Sequence, residues 1–249
     1  MISTLETTGS LNRDPLTAEH GASTVSDRYG FVSTRTLLDN LQAEGFTPRD
    51  IQIARVNKSE RQGFQKHIIR LKHDSLMPSI GNDHQPEIVL INSHDARSSL
   101  KLALGVIRFV CMNGIISGEM AFSTRFIHRD ITTDRVNEAA IGLTKMVPQL
   151  QARIAGMKER TLSEPEVGKF VRDAAALRWD DERKINEVTW ALGRKRRYED
   201  GTNNLWQVFN RVQENIIRGG YRVRRITSAA KDVEINRDLW NLAAVYLNN

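Results

Sequence analysis

Apolar residues recur at every second position in three stretches of the first half, Ile51-Ile53, Ile69-Leu71 and Leu100-Leu102-Leu104, with polar or small residues between them. Beyond Thr132 the spacing changes to threes and fours, and Val136, Ala140, Leu143, Val147, Leu150, Ile154 and Met157 fall on one stripe. The first period belongs to strands with one buried face, the second to amphipathic helices. A doubly wound parallel sheet alternates the two along the chain; here each keeps to its own half. The pattern predicts an α+β fold, with an antiparallel β-meander in the first half packed by helices and a mostly helical C-terminal half.

Residues 1–28, rich in Ser, Thr, Gly and Asp and without a sustained period, read as a flexible N-terminal arm. Residues 29–130 are the strand-rich core, and residues 131–249 a helical part with a basic patch, packed on the same core. Ser33 or Thr34 is placed to cap a helix that stops at Gly45. Strands are expected at 51–53, 64–73, 87–92 and 99–110, with a polar turn at 59–63 and a loop at 77–85. Thr132 or Thr133 caps the long stripe, which Pro148 must kink or divide. Ser163 and Glu166 form a capping box opening a helix through Val167, Phe170, Ala174 and Leu177. Residues 205–218 bury Leu205, Phe209, Val212 and Ile216, which leaves Arg211 and Arg218 to face outward; Gly219-Gly220 is read as a flexible stop. Asn236 is expected to cap a last helix bearing Leu239, Trp240 and Tyr246.

Of 249 residues, 40% are hydrophobic and 27% charged, enough to bury a core and too many for disorder throughout. The single cysteine, Cys111, excludes an internal disulfide and any zinc site needing two thiolates from one chain. It lies in the apolar run IRFVCMNGII, where a thiol is a small buried hydrophobe rather than a nucleophile. The run 102–116 is too short to cross a bilayer and carries Arg108. Met1 to Asp14 contain no apolar core of a secretory signal, so the expected location is the cytoplasm, without a membrane partner. The six histidines, His20, His67, His73, His84, His94 and His128, show no metal-ligand spacing. His94-Asp95 suits a turn after a strand as well as a base or a ligand, and the role of Asn92, His94 and Asp95 stays open. No phosphate-binding loop, dinucleotide fingerprint or nucleophile elbow is present. No catalytic residue, metal or other cofactor is expected.

Charge is the one feature with a functional slant. The chain carries a net +6, while residues 191–231 hold ten Lys or Arg against three acids, so this window alone supplies the excess. GRKRR at 193–197 sits in an expected loop, and RGGYRVRR at 218–225 interleaves Tyr221 with four arginines. Guanidinium groups grip phosphate bidentately, and tyrosine offers a stacking surface for a base. A solvated helix face is the plainer reading of such a run.

Five stretches carry a family resemblance: TRTLLDNLQAEGF (34–46), QKHIIRLKH (65–73), PEIVLINSHDARSSLKLALGVIRFVCMNG (86–114), LWQVFNRVQENIIRGG (205–220) and RRITSAAKDVEINRDLWNLA (224–243). They resemble the phage- and plasmid-associated family catalogued as domain of unknown function 932, whose members also sit in cryptic prophages. The resemblance implies a mobile-element context without an established activity. The order of a helix, a strand meander and helices with a basic patch also looks like the strand-annealing class of phage recombinases. On that analogy the chain binds and anneals single-stranded DNA in recombination, as a homo-oligomeric ring or filament, beside a phage or host recombination nuclease. The phosphate contacts would come from Arg108, Arg125, Arg129, Arg194, Lys195, Arg196, Arg197, Arg211, Arg218, Arg222, Arg224 and Arg225, with Tyr221 stacking. The alternatives are an anti-restriction protein that binds a host defence protein, and an enzyme in which His94, Asp95 and His128 converge on a metal.

Overall fold

The computed structural model describes residues 14–73, 76, 84–108, 113–116, 122–129 and 131–248. Cys111 and most of the loop expected at 77–85 lie outside the described residues. The part of the N-terminal arm that is described is not loose. Asp14 opens a 3-10 turn by accepting the Leu16 amide at 3.0 Å. Ala22 is buried, and its amide donates to the His94 carbonyl at 2.8 Å.

Helix α1 (Thr34–Ala43) follows, capped by the Ser33 hydroxyl and ended at Gly45, whose φ of +89° is a conformation that suits glycine. Six strands then build one antiparallel sheet: β1 (Thr47–Ile53), β2 (His67–Lys72), β3 (His84–Asn92), β4 (Leu100–Arg108), β5 (Asn113–Ile116) and β6 (Ser123–Phe126). The order is β1-β2-β3-β4, and the far edge of β4 is shared. β5 pairs with its residues 105–108 and β6 with 100–103. The meander and the α+β class expected from the sequence are present. The pattern does not foresee β5 and β6; each is four residues long and shows no alternation.

The sheet buries both faces over β2 to β4. Ile69, Leu71, Ile88, Leu90, Leu102 and Leu104 enter the main core, while Ile68, Val89, Ile91 and Ala103 form a smaller cluster with Val233 on the other face. Two-sided burial explains why EIVLIN reads as an unbroken apolar run. β1 departs from expectation. Its Ile51 and Ile53 are 43% and 41% exposed, and the half-buried side chains are Asp50 and Gln52 on the opposite face. β1 is the edge strand, beyond the reach of the helices that cover Ile69 and Leu90.

The second half packs α2 (Thr133–Thr144), α3 (Val147–Glu159), α4 (Glu164–Ala176), α5 (Glu182–Gly193), α6 (Leu205–Arg218) and α7 (Ala229–Asn248). Thr132 caps α2, Pro148 falls in the first turn of α3 and so divides the long stripe, and Ser163 with Glu166 completes the capping box of α4. α6 is the hub, against α3, α4, α5 and α7. Every side chain from Trp206 to Ile216 except Gln207 is buried, the polar ones included. Phe209 stacks on Trp206 and meets Trp240 edge to face, each pair with ring centroids 6.0 Å apart. Asn236 does not begin α7. The helix starts at Ala229, and Asn236 lies buried within it, donating to the Asp232 carbonyl at 3.0 Å and accepting from Gln213 at 2.9 Å. One hydrophobic core runs through the sheet and the helices. Among the described residues, no helix is long and apolar enough to cross a membrane.

Candidate nucleic-acid interface

Two of the arginines expected to meet phosphate are interior residues. Arg108, at the end of β4, is buried and donates to Asp200 at 2.7 Å. Arg211 is 2% exposed and donates to the Asn203 side chain at 3.1 Å. The helical period marks Arg211 as lying off the apolar stripe, but Asp200 and Asn203 come from the preceding turn and cover that side of α6. The basic run after α5 is also largely used in holding the fold. Lys195 donates to the Gly201 carbonyl at 2.7 Å, Arg196 to the Gly219 carbonyl at 2.9 Å, and Arg197 grips Glu214 with two bonds of 2.6 and 3.0 Å.

The segment that leaves α6 is built tightly, not as a flexible stop. Gly219 takes φ +72°, and a Cβ there would stand 2.6 Å from both the Arg225 nitrogen and the Val223 oxygen. Gly220 and Val223 exchange backbone bonds of 2.8 and 3.1 Å, closing a turn with Tyr221 and Arg222 at its tip. Arg222 has φ +60°, a left-handed conformation normally left to Gly or Asn. Val223 anchors the turn in the core, and Arg178 donates to the carbonyls of Ile216 at 2.6 Å and Arg224 at 2.7 Å. Gly219→Ala is expected to cost about 1–3 kcal/mol, since it adds both left-handed strain and a backbone clash; chemical denaturation checks this, and an unchanged midpoint would contradict it.

A cleft of about 1140 Å³ lies between this segment and the open side of β1 and β2. Arg49, Arg55 and Arg70 line the sheet wall, and Arg218 and Arg225 the helical wall, facing Asp50 and Asp232. Arg49 donates to Glu87 at 2.8 Å, and Arg70 is bonded to the same carboxylate, which partly neutralises both. Burial pushes the Asp232 carboxyl up towards its neutral form, against the pull of Arg70, the Asn236 hydrogen bond and Arg225. Arg125, on β6, donates to Ser99 at 2.9 Å and lies within electrostatic range of Lys101, as does Arg237. Burial, then Arg125 and Arg237, lower the Lys101 pKa, and burial, then Lys101, lower that of Lys66. By register, Lys101 and Arg125 share the sheet face of the cleft. Arg129 is exposed beyond β6 and is not brought to the cleft.

On the outer side of the turn, Trp190 and Tyr221 meet edge to face at 5.8 Å. The Arg194 guanidinium lies 5.0 Å from the Trp190 ring and that of Arg222 lies 5.2 Å from the Tyr221 ring. Arg224 is exposed on the same segment. Of the residues expected from the sequence, the structure gathers Arg194, Arg218, Tyr221, Arg222, Arg224 and Arg225 here. It adds Arg49, Arg55, Arg70 and Trp190, which the charge count does not single out. Trp190 does leave a signal: Ile185, Val188 and Leu192 make a helical stripe behind Asp181, and Trp190 falls off it.

Asp95, His128 and His67 each come within electrostatic range of His94. His67 Nδ1 faces the Gln65 carbonyl at 3.1 Å and so carries the hydrogen, which leaves Nε2 to accept from the Thr34 hydroxyl at 2.9 Å. His94 Nε2 then donates to Thr34 at 3.1 Å, as does Asn92. Asp95 is paired with Arg61 at 2.9 Å. This centre ties β2, β3 and α1 together from inside, and it lines neither the basic cleft nor the groove between the starts of α1 and α2. Among the described residues, no group of three His, Cys, Asp or Glu could hold a metal ion.

No solved structure matches this chain. It is similar to UPF0380 protein YfjQ and UPF0380 protein YafZ of Escherichia coli (strain K12), each 31% identical over 232 residues, covering 89% of this chain and 84% of the relative. The family model described as "Domain of unknown function (DUF932)" matches residues 22–240, and the chain belongs to that family.

Proposed function

We propose that this protein binds single-stranded DNA in the cleft between β1–β2 and the segment after α6, and anneals strands in recombination without catalysing a covalent step. The observation that carries this reading is the cleft itself, with five arginines on its walls, two of them sharing Glu87, against two aspartates. Its volume of about 1140 Å³ exceeds the ~300–1,000 Å³ usual for small-molecule sites, and its walls are more polar than apolar, with Ile53, Ile217 and Ile226 among the arginines. Lys66, Lys101 and Arg125 extend positive charge along the same sheet face, where an arriving polyanion relieves their mutual repulsion. Assembly into a ring or filament is part of the same proposal.

The test is a salt titration of oligothymidylate and duplex binding, with the assembly size measured alongside. The wild type should prefer the single strand, accelerate annealing of complementary strands and sediment as a large assembly. The variant Arg55→Ala/Arg218→Ala/Arg225→Ala should flatten the plot of log K against log salt by about 0.7 for each lost single-strand phosphate contact. Its fold should persist, because exposed charges are worth roughly 0–1 kcal/mol per pair. A folded triple variant with wild-type affinity and slope would overturn the reading. The second reading, docking on a host defence protein, is favoured by one observation, since exposed Trp, Tyr and Arg side chains are the usual composition of protein-binding hot spots. It requires a wild type that ignores DNA.

A further inference from the structure

We infer that Trp190 and Tyr221 form a base-stacking platform that makes this surface select unpaired over paired strands; the inference rests on the nucleic-acid reading above and adds to it the residues that discriminate. Trp190 is 64% exposed and Tyr221 56%, although both belong to elements with well-buried cores. Ile185, Val188, Ala191 and Leu192 bury the inner side of α5, and Val223 buries the turn, so neither ring is needed to cover the hydrophobic interior. A solvent-facing indole against a solvent-facing phenol is a contiguous aromatic surface that folding alone does not call for.

The turn that carries Tyr221 is tied at both ends. Tyr221 stands at the tip of a closed turn, with Arg196 bonded to Gly219 on one side and Arg178 bonded to Arg224 on the other. Arg222 keeps a left-handed backbone at this tip, and strain of that kind persists only where the surroundings impose it. The charge around the rings is cationic, from Arg194 and Arg222, with Glu187 as the nearby carboxylate, 3.9 Å from Arg222.

Aromatic rings among arginines bind bases whose faces are open, and every base has such a face, so the contact tolerates any sequence. In a duplex those faces are covered by neighbouring pairs. The platform therefore adds affinity for single strands alone, while the arginines of the cleft act on the phosphates of both. Tyr221 and Arg225 are four residues apart, at most about 14 Å of chain, so one short oligonucleotide reaches the platform and the cleft together.

Tryptophan emission tests this directly in the full-length protein. Trp206 and Trp240 are buried, and Trp179 lies half-buried with the Arg178 guanidinium 4.7 Å from its ring, so stacking of a base is reported by Trp190. Oligothymidylate should quench the wild type, and a duplex of equal length should not. Trp190→Phe should bind oligothymidylate within about threefold of wild type while losing the quench, because phenylalanine still stacks. Trp190→Ala/Tyr221→Ala should lose roughly tenfold or more in single-strand affinity, with duplex affinity, salt slope and melting temperature unchanged. The platform is refuted alone if single strands bind with a salt slope that depends on Arg55, Arg218 and Arg225 yet leave the emission unquenched. It is refuted also if the double variant loses single-strand and duplex affinity in equal proportion. A wild type that binds neither strand overturns the nucleic-acid reading together with the platform.

Discussion

Replacing Arg108 with methionine is expected to remove about 3–5 kcal/mol of folding stability, the cost of leaving one partner of a buried ion pair alone. Both side chains of the Arg108–Asp200 pair are excluded from solvent. Asp200 is poorly served even with its partner: its second oxygen has no hydrogen bond, and burial raises its pKa against the opposing effect of Arg108. Without the guanidinium the carboxylate must take up a proton or draw in water. Arg108 ends β4, and Asp200 belongs to the turn between α5 and α6, so the pair bolts the sheet to the helical hub. Denaturant unfolding of Arg108→Met should show one transition at a much lower midpoint. The double variant Arg108→Met/Asp200→Leu should recover most of the loss, because an apolar pair of similar volume replaces the ion pair. A single variant that unfolds at the wild-type midpoint would contradict this account.

Acidification is expected to weaken the fold well above the range in which carboxylates titrate. Burial lowers the pKa of His67, His94 and His128, and His94 is pushed down to about 3 by burial and by His67. In the unfolded chain these groups take up protons near pH 6.5. The folded state refuses them, so stability is complete above that pH and falls as the pH drops from 6.5 towards 3. A tenfold difference in proton affinity between the two states is worth about 1.4 kcal/mol, so His94 alone removes several kcal/mol across that window. The bonding of Thr34 gives the structural reason. Its hydroxyl already donates to His67 Nε2, and a protonated His67 would turn an acceptor into a second donor at that contact. Denaturant midpoints measured between pH 7 and pH 5 should fall steadily in the wild type and less steeply in His67→Gln/His94→Gln, which starts from a lower midpoint. A wild-type midpoint that stays constant over that range would refute the prediction.

Periodicity and caps make much of this fold legible. Ser33, Thr132 and the Ser163–Glu166 box stand at real helix starts, and Gly45 and Gly219 at real ends. Alternation finds the strands, but it cannot tell an edge from a centre, so it predicts burial for Ile51 and Ile53. A hydrophobic period also says only which side of an element is apolar. It is silent on whether the polar side meets water or a polar partner, and Arg211, Glu214 and Asn236 all meet partners. For the same reason the count of positive charge overstates the charge left exposed to solvent. Arg197 is tied to Glu214 and Arg108 to Asp200, while Arg49, Arg55 and Arg70 reach the cleft from residues 49–72, a second basic stretch with seven Lys or Arg against two acids.

Helix α6 passes from the centre of the molecule to the wall of the cleft within two residues: Ile216 is wholly buried, and Arg218 lines the cleft. On the proposed function, positions that tune affinity and positions that keep the chain folded are therefore neighbours on one rod. A saturation mutagenesis map scored for both traits should show no clean partition along 205–225. A lineage that adjusts the proposed ligand preference there must move through the tolerance of its own interior, and the exposed Trp190 ring on α5 is the freer ground for such change.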